Sequence, residues 1–175
     1  MKRLISLLLV FGVVCLGSLV AAAADLPQEE EAARAITGIS VDVSSIHNSA
    51  STGDNLVDGD LTTTTKRWIS KSGDQEPVAT FTLPQEALVD AVVVYSGFSS
   101  EEADVYTVDT FVVEALQGGG WVAVATVEEN RDYRCVVTFA PVKASSWRVR
   151  FIKSNTLGTS DNRARVFEIR LLEAK

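Results

Sequence analysis

The sequence predicts an all-β domain of about eight short strands, in a sandwich, a jelly roll or a barrel. Three observations carry this. From Ile36 onward the apolar residues tend to recur with a period of two. The apolar segments are rich in Val, Thr, Phe and Trp and are separated by clusters of Gly, Asn, Asp and Ser. No stretch between Ile36 and Lys175 keeps a helical period beyond a turn. Many strands with closely spaced turn signals are the pattern of these architectures.

Each element follows from its own residues. Ala79, Phe81 and Leu83 alternate with Val78, Thr80 and Thr82, and Phe111, Val113 and Ala115 alternate with Val112 and Glu114, so both runs are half-buried strands. Val89 to Tyr95 is almost continuously apolar, which suits a central strand covered on both faces. Gln117-Gly118-Gly119-Gly120 makes a tight hairpin link into the strand Trp121 to Val127. Trp147, Val149 and Phe151 take one face and Arg148 and Arg150 the other, and Arg165 to Leu172 closes the domain. Trp68, Trp121 and Trp147 are expected in the core.

The chain begins with Met1-Lys2-Arg3, the apolar run Leu4 to Val14 and the small-residue stretch Ala21 to Ala24, the order of a secretory signal peptide. Gly12, Gly17 and Ser18 interrupt the apolar run, which favours cleavage near Ala24 over an uncleaved anchor, and Val14 disfavours lipidation of Cys15. The expected division is a signal peptide over 1–24, an acidic lead-in over 25–35 that is either a linker or one or two helical turns, and one domain over 36–175. The expected location is outside the cytoplasm, periplasmic or extracellular, with no membrane insertion after cleavage.

Without Lys2 and Arg3 the chain carries 14 basic and 23 acidic residues, a net charge of −9. That balance argues against nucleic acid and anionic membrane as partners, since both depend on clustered Lys and Arg. Cys135 is then the only cysteine, so no internal disulfide forms, and its place in an apolar strand predicts an inert core thiol. His47, the single histidine, lies in a Ser/Asn-rich loop with no partner in sequence.

Asn55-Leu56-Val57-Asp58-Gly59-Asp60-Leu61-Thr62-Thr63, with Arg67-Trp68 shortly after, resembles the opening signature of the discoidin family. That family includes coagulation-factor type C domains and the family 32 carbohydrate-binding modules. Val78 to Leu83, Val89 to Tyr95, Phe111 to Trp121, Asn130-Arg131, Trp147 to Phe151 and Arg165 to Ile169 resemble its later landmarks in order, over roughly residues 36 to 173. The resemblance implies an eight-stranded antiparallel jelly-roll β-sandwich.

Asp58, Asp60 and Thr63 share one short loop in which Gly59 permits a sharp turn, and hard oxygen donors on a turn suit Ca²⁺. An Asx-type turn whose side chains bond neighbouring amides is the alternative. The resemblance implies a structural calcium in this loop, completed by backbone carbonyls near Asn55 and by Glu168 of the closing strand. It also implies a ligand surface in loops at one end of the sandwich, but the histidine that galactose-binding relatives carry is replaced by Thr65, and Ser96 to Asp104 holds no Arg or Asn. Candidate ligand contacts in the same loops are Arg67, Phe98, Tyr106 and Arg131, with Lys71 nearby.

The sequence has no Gly-x-Ser-x-Gly elbow, phosphate loop, zinc motif or Cys–His pairing, so a non-catalytic module is expected. Two functions fit. One is a carbohydrate-binding module; the other is an adhesion or structural protein that binds an extracellular protein through the same loops.

Overall fold

The computed structural model describes residues 25–98, 106–154 and 162–175. The expected signal segment and loop residues 99–104 fall outside them. The described elements are a short helix α1 (Gln28–Arg34), strands β1 (Ser40–Val43), β2 (Trp68–Ile69), β3 (Val78–Ser96), β4 (Thr110–Gln117), β5 (Gly120–Val127), β6 (Arg134–Lys153) and β7 (Arg165–Glu173), and a 3₁₀ turn at Gly53–Leu56. The expected all-β architecture is present, and every strand pairing is antiparallel.

The strand order is β2-β7-β3-β6-β4-β5, with β1 paired to β3. Two strands are long enough to serve both layers of the sandwich. The first part of β3 pairs with β1 and with the last part of β6, where Phe81 faces Trp147. After a register shift between Thr82 and Ala87, the second part of β3 runs between the first part of β6 and β7. Counting each long strand in both layers brings the number close to the expected eight.

The predicted faces are those observed. Ala79, Phe81 and Leu83 are buried, as are Trp147, Val149 and Phe151, and Val89 to Tyr95 is covered on both sides. In β4 the outward residue Glu114 is also buried, because Arg148 Nε donates to its carboxylate at 2.6 Å and Arg150 Nε at 3.3 Å. Gln117 pairs with Gly120 across Gly118 and Gly119, whose φ angles of 57° and 84° give the turn that matches strand twist. Cys135 is buried, and burial followed by the charge of Asp132 pushes its thiol up to about 12, so it is inert at neutral pH. Trp68 and Trp147 lie in the core, but Trp121 does not. It sits half-buried on the outer face with the Arg148 guanidinium 4.6 Å from its ring centre.

The lead-in is more ordered than a linker. Residues 28–34 form the two helical turns that were one of its two sequence readings. The three glutamates of the first turn and Arg34 in the last suit the helix dipole. Glu31 is completely buried, and Ala35 bridges to Leu172 of β7. Leu26 and Ala35 belong to an apolar cluster with Ala91, Val93, Tyr95, Phe167 and Leu172, so the segment covers the outer face of the layer formed by β3, β6 and β7. The folded unit therefore begins before Ile36. Among the described residues no helix is long and apolar enough to cross a membrane.

Candidate functional site

The end of the sandwich where β3 finishes gathers four segments. Ser96 N donates to Tyr133 O at 2.9 Å, Val108 N to Ser96 Oγ at 3.1 Å, and Asn130 Nδ2 to Val108 O at 2.8 Å. Gly97 N donates to Arg165 O at 3.0 Å, which brings in β7. These bonds place the candidates Arg67, Phe98, Tyr106 and Arg131 on neighbouring segments, but with different roles.

Phe98 is 39% exposed and is the most accessible aromatic ring of the group. Arg67, by contrast, is only 7% exposed and its guanidinium lies 5.3 Å from the Phe98 ring centre and 5.4 Å from that of Phe167. Its Nη1 donates to Gly97 O at 2.7 Å and to Phe98 O at 3.2 Å, so Arg67 fixes the backbone that carries Phe98. Tyr106 takes φ 60°, an uncommon conformation for a bulky residue, and its ring stacks 4.0 Å beneath the guanidinium of Arg165. Arg131 is half exposed at its side chain and turns to Asp109, whose Oδ2 it approaches at 2.5 Å.

Sequence reasoning missed Arg165 and Phe167 here. The signal is a bulge: Tyr95 pairs with Glu168 but Ser96 with Val166, so Phe167 is the extra residue and points outward beneath Arg67. His47 is exposed and has the Arg163 guanidinium within 3.3 Å.

The loop expected to hold calcium is a network of Asx turns. Asp60 Oδ1 accepts from Thr62 N at 3.0 Å, Thr63 N at 2.9 Å and the Thr62 hydroxyl at 3.1 Å. Those donors, Thr63 first, hold its carboxyl well below the usual carboxylate range. Asp58 Oδ1 accepts from Asp60 N at 2.8 Å, and Gly59, at φ 77°, donates its amide to Glu168 Oε2 at 3.0 Å. Asn55 turns its side chain to Ala50 O at 2.7 Å.

Among the described residues no three acidic, histidine or cysteine side chains converge in metal-ligating geometry. Asp60 thus acts as the staple of the turn. The Asp58 and Glu168 carboxylates and the Thr63 hydroxyl are oxygen donors suited to calcium in kind, and each already takes part in a hydrogen bond in or beside the loop. Burial raises the Glu168 pKa and the Asp58 charge raises it further, although Arg170 Nε lies 3.3 Å from Glu168 Oε1. A groove of about 450 Å³, bounded by Ile36, Val57, Asp58, Glu168 and Arg170, opens beside this loop, whereas Phe98 does not line it.

The sequence matches no protein-family model and no curated protein. Solved structures do match. The family 32 carbohydrate-binding module of Streptococcus pneumoniae EndoD superposes with a TM-score of 0.69 at 18% identity, over 81% of this chain and 99% of that one. The fold is that of the family 32 modules. The C. perfringens NanJ module, solved with galactose, gives a TM-score of 0.63 at 20% identity over 80% of this chain and 98% of that one. The paired modules of Clostridium perfringens ZmpB, solved with GalNAc, give 0.71 at 14% identity over 90% of this chain and 40% of that one. At these identities the likeness to the modules is one of fold, and the discoidin-type resemblance seen in the sequence agrees with it.

Proposed function

We propose that this chain is an exported, non-catalytic glycan-binding module that acts in the periplasm or outside the cell. Its ligand site is the loop end at Phe98, supported by Tyr106 and Arg131. One observation carries the reading: Phe98 is exposed on a loop whose backbone is pinned by a buried arginine, so the ring is presented in a fixed orientation and little entropy is lost on stacking against a sugar. The fold shared with modules solved in complex with galactose and GalNAc supports it.

The test is a glycan array probed with the purified protein. Specific hits, competed by free sugar and lost in Phe98→Ala with an unchanged melting temperature, are the expected result. Binding that survives Phe98→Ala moves the site elsewhere. A blank array together with a retained extracellular protein partner replaces the glycan reading by the adhesion reading.

Calcium belongs to the same proposal as a stabiliser of the Asp58–Glu168 loop. A raised carboxyl pKa means the folded state holds the Glu168 proton more tightly than the unfolded chain does. The associated stability is present below the ordinary carboxylate pKa and is lost as pH rises through the folded value. At neutral pH without a cation, ionised Glu168 is therefore less stabilising than its protonated form. A bound Ca²⁺ would offset that difference and stabilise by preferential binding to the folded state.

Two melting curves check this. In chelator, Glu168→Gln is expected to be at least as stable as the parent at pH 7. Added calcium is expected to raise the melting temperature of the parent and leave the variant unmoved. A metal-free parent that does not respond to millimolar calcium removes calcium from the proposal.

A further inference from the structure

One layer of the sandwich ends on an open strand. β5 stands at one end of the strand order, and among the described residues it pairs with β4 alone. Gln117 and Gly120 face each other across the two-residue turn, and hydrogen bonding alternates along an antiparallel pair. The amides and carbonyls of Trp121 and Ala123 therefore face the open side, while those of Val122 face Ala115. Such an edge is a template for another strand, and proteins blunt it with charge, proline or shortness. The other edges carry these devices: β2 has two residues, β1 contains Asp42, and the first part of β6 runs into Pro141. From Ala115 to Val127, by contrast, the chain holds no charged residue and no proline. The one device in β5 is the bulge at Val124, and it lies beyond Trp121 to Ala123.

We propose that two copies of this chain join antiparallel by their β5 edges, about a two-fold axis at Val122, so that two sheets run on as one. Three observations select a second copy as the occupant. The first is shape. In this register Trp121 stands opposite the partner's Ala123, a large ring against a small and exposed side chain that leaves it room. The second is apolar surface. Val122 is 44% exposed and meets its own copy in a non-hydrogen-bonded pair, where side chains come closest, and Leu116, the cross-strand neighbour of Trp121, is 38% exposed beside it.

The third observation is charge. Without its signal segment the chain carries −9, so two copies repel unless they meet where acids are absent. Ala115 to Val127 is such a place, and in this register Glu128 and Glu129 fall beyond the partner's turn at Gly118 and Gly119. Pairing of a strand with its own copy about a two-fold axis is self-complementary, since each contact occurs twice.

The geometry has a consequence for binding. The carboxyl end of β5 leads to the Phe98 end of the sandwich, where Asn130 Nδ2 donates to Val108 O and Val108 N to Ser96 Oγ. Antiparallel pairing turns the two Phe98 ends in opposite directions. With the glycan reading above, the dimer links two glycan-bearing surfaces; the pairing itself does not rest on that reading.

The test is sedimentation equilibrium of protein purified from expression of the full chain, from about 1 μM to about 1 mM, the span suited to a small interface. The expected result is a mass that rises from monomer to dimer. A monomer throughout overturns the proposal. Val122→Lys sets two like charges on the axis and is expected to weaken the dimer about tenfold or more with an unchanged melting temperature. A dimer that this change leaves intact lies elsewhere on the molecule and also overturns the proposal.

If Val122→Lys does not fold, Val122→Cys decides. Mild oxidation is expected to link it to its own copy, because a non-hydrogen-bonded pair on the axis comes within disulfide reach, and to link Val124→Cys far less. The parent, whose Cys135 is buried, is the control. No link at Val122, or equal links at both positions, overturns the pairing. The glycan array is independent: a blank array leaves the dimer standing, and a monomeric protein leaves the glycan reading intact.

Discussion

Glu31→Ala is expected to destabilise the domain by about 3 to 5 kcal/mol, the range for removing one partner of a buried ion pair. The Glu31 carboxylate is completely buried and accepts from Tyr95 Oη at 2.8 Å, Arg134 Nη2 at 2.7 Å and Arg170 Nη1 at 2.8 Å. Its removal takes the only carboxylate partner of Arg134 among the described residues, leaves Arg170 with Glu168 at 3.3 Å, and takes the acceptor of the Tyr95 hydroxyl. The side chains of Arg134 and Arg170 are 22% and 21% exposed and can turn partly to water, which places the expectation toward the lower figure. Around this centre Arg134 Nη2 also holds Leu26 O at 2.7 Å, and Arg34 pairs with Asp90 and donates from Nε to Glu173 O at 2.9 Å. Urea denaturation of parent and variant gives the number. A loss below about 1 kcal/mol would mean that α1 does not hold its docked position in solution.

Phe151→Ala is the second large effect, also about 3 to 5 kcal/mol, from lost burial plus the cavity left behind. Phe151 is fully buried, with its ring centre 5.6 Å from that of Trp68 and 6.3 Å from that of Phe111. It joins β2, β4 and β6, and its amide donates to Pro77 O at 2.9 Å. The adjacent Ile152 is 42% exposed, so Ile152→Ala should change stability by no more than about 0.5 kcal/mol. Comparable losses at the two neighbours would contradict the inward and outward faces assigned to β6.

Where a strand buries one face against the core, period-two patterning makes that face readable, as at Phe81, Trp147 and Phe151. Two kinds of feature escape it. Glu31 lies in an acidic run whose composition suggests a solvated segment, and its burial depends on Arg134 and Arg170 more than a hundred positions away in the chain. Trp121 carries the residue type of a core position, yet β5 is the last strand of the sheet and leaves its ring partly open.

The candidate site was legible in part. Phe98, Tyr106 and Arg131 are at the predicted end of the sandwich, and the Asp58 loop forms the turn its glycine allows. That Arg67 is a buried brace and not an open contact depends on Gly97, Phe98 and Phe167, which surround it from distant parts of the chain and leave no local pattern to read.

The sharing of β3 and β6 between both layers bears on how the molecule assembles. β7 lies between β2 and β3, and its partners Val89 to Ser96 precede it by some seventy positions or more. Contacts so distant in the chain are costly to close and slow to form. The layer that contains β7 therefore cannot be finished until Arg165 to Glu173 arrives, whereas every strand of the other layer is already present at Lys153. The last strand and the leading helix, which bridges to it through Ala35 and Leu172, should therefore dock last, onto a layer already paired.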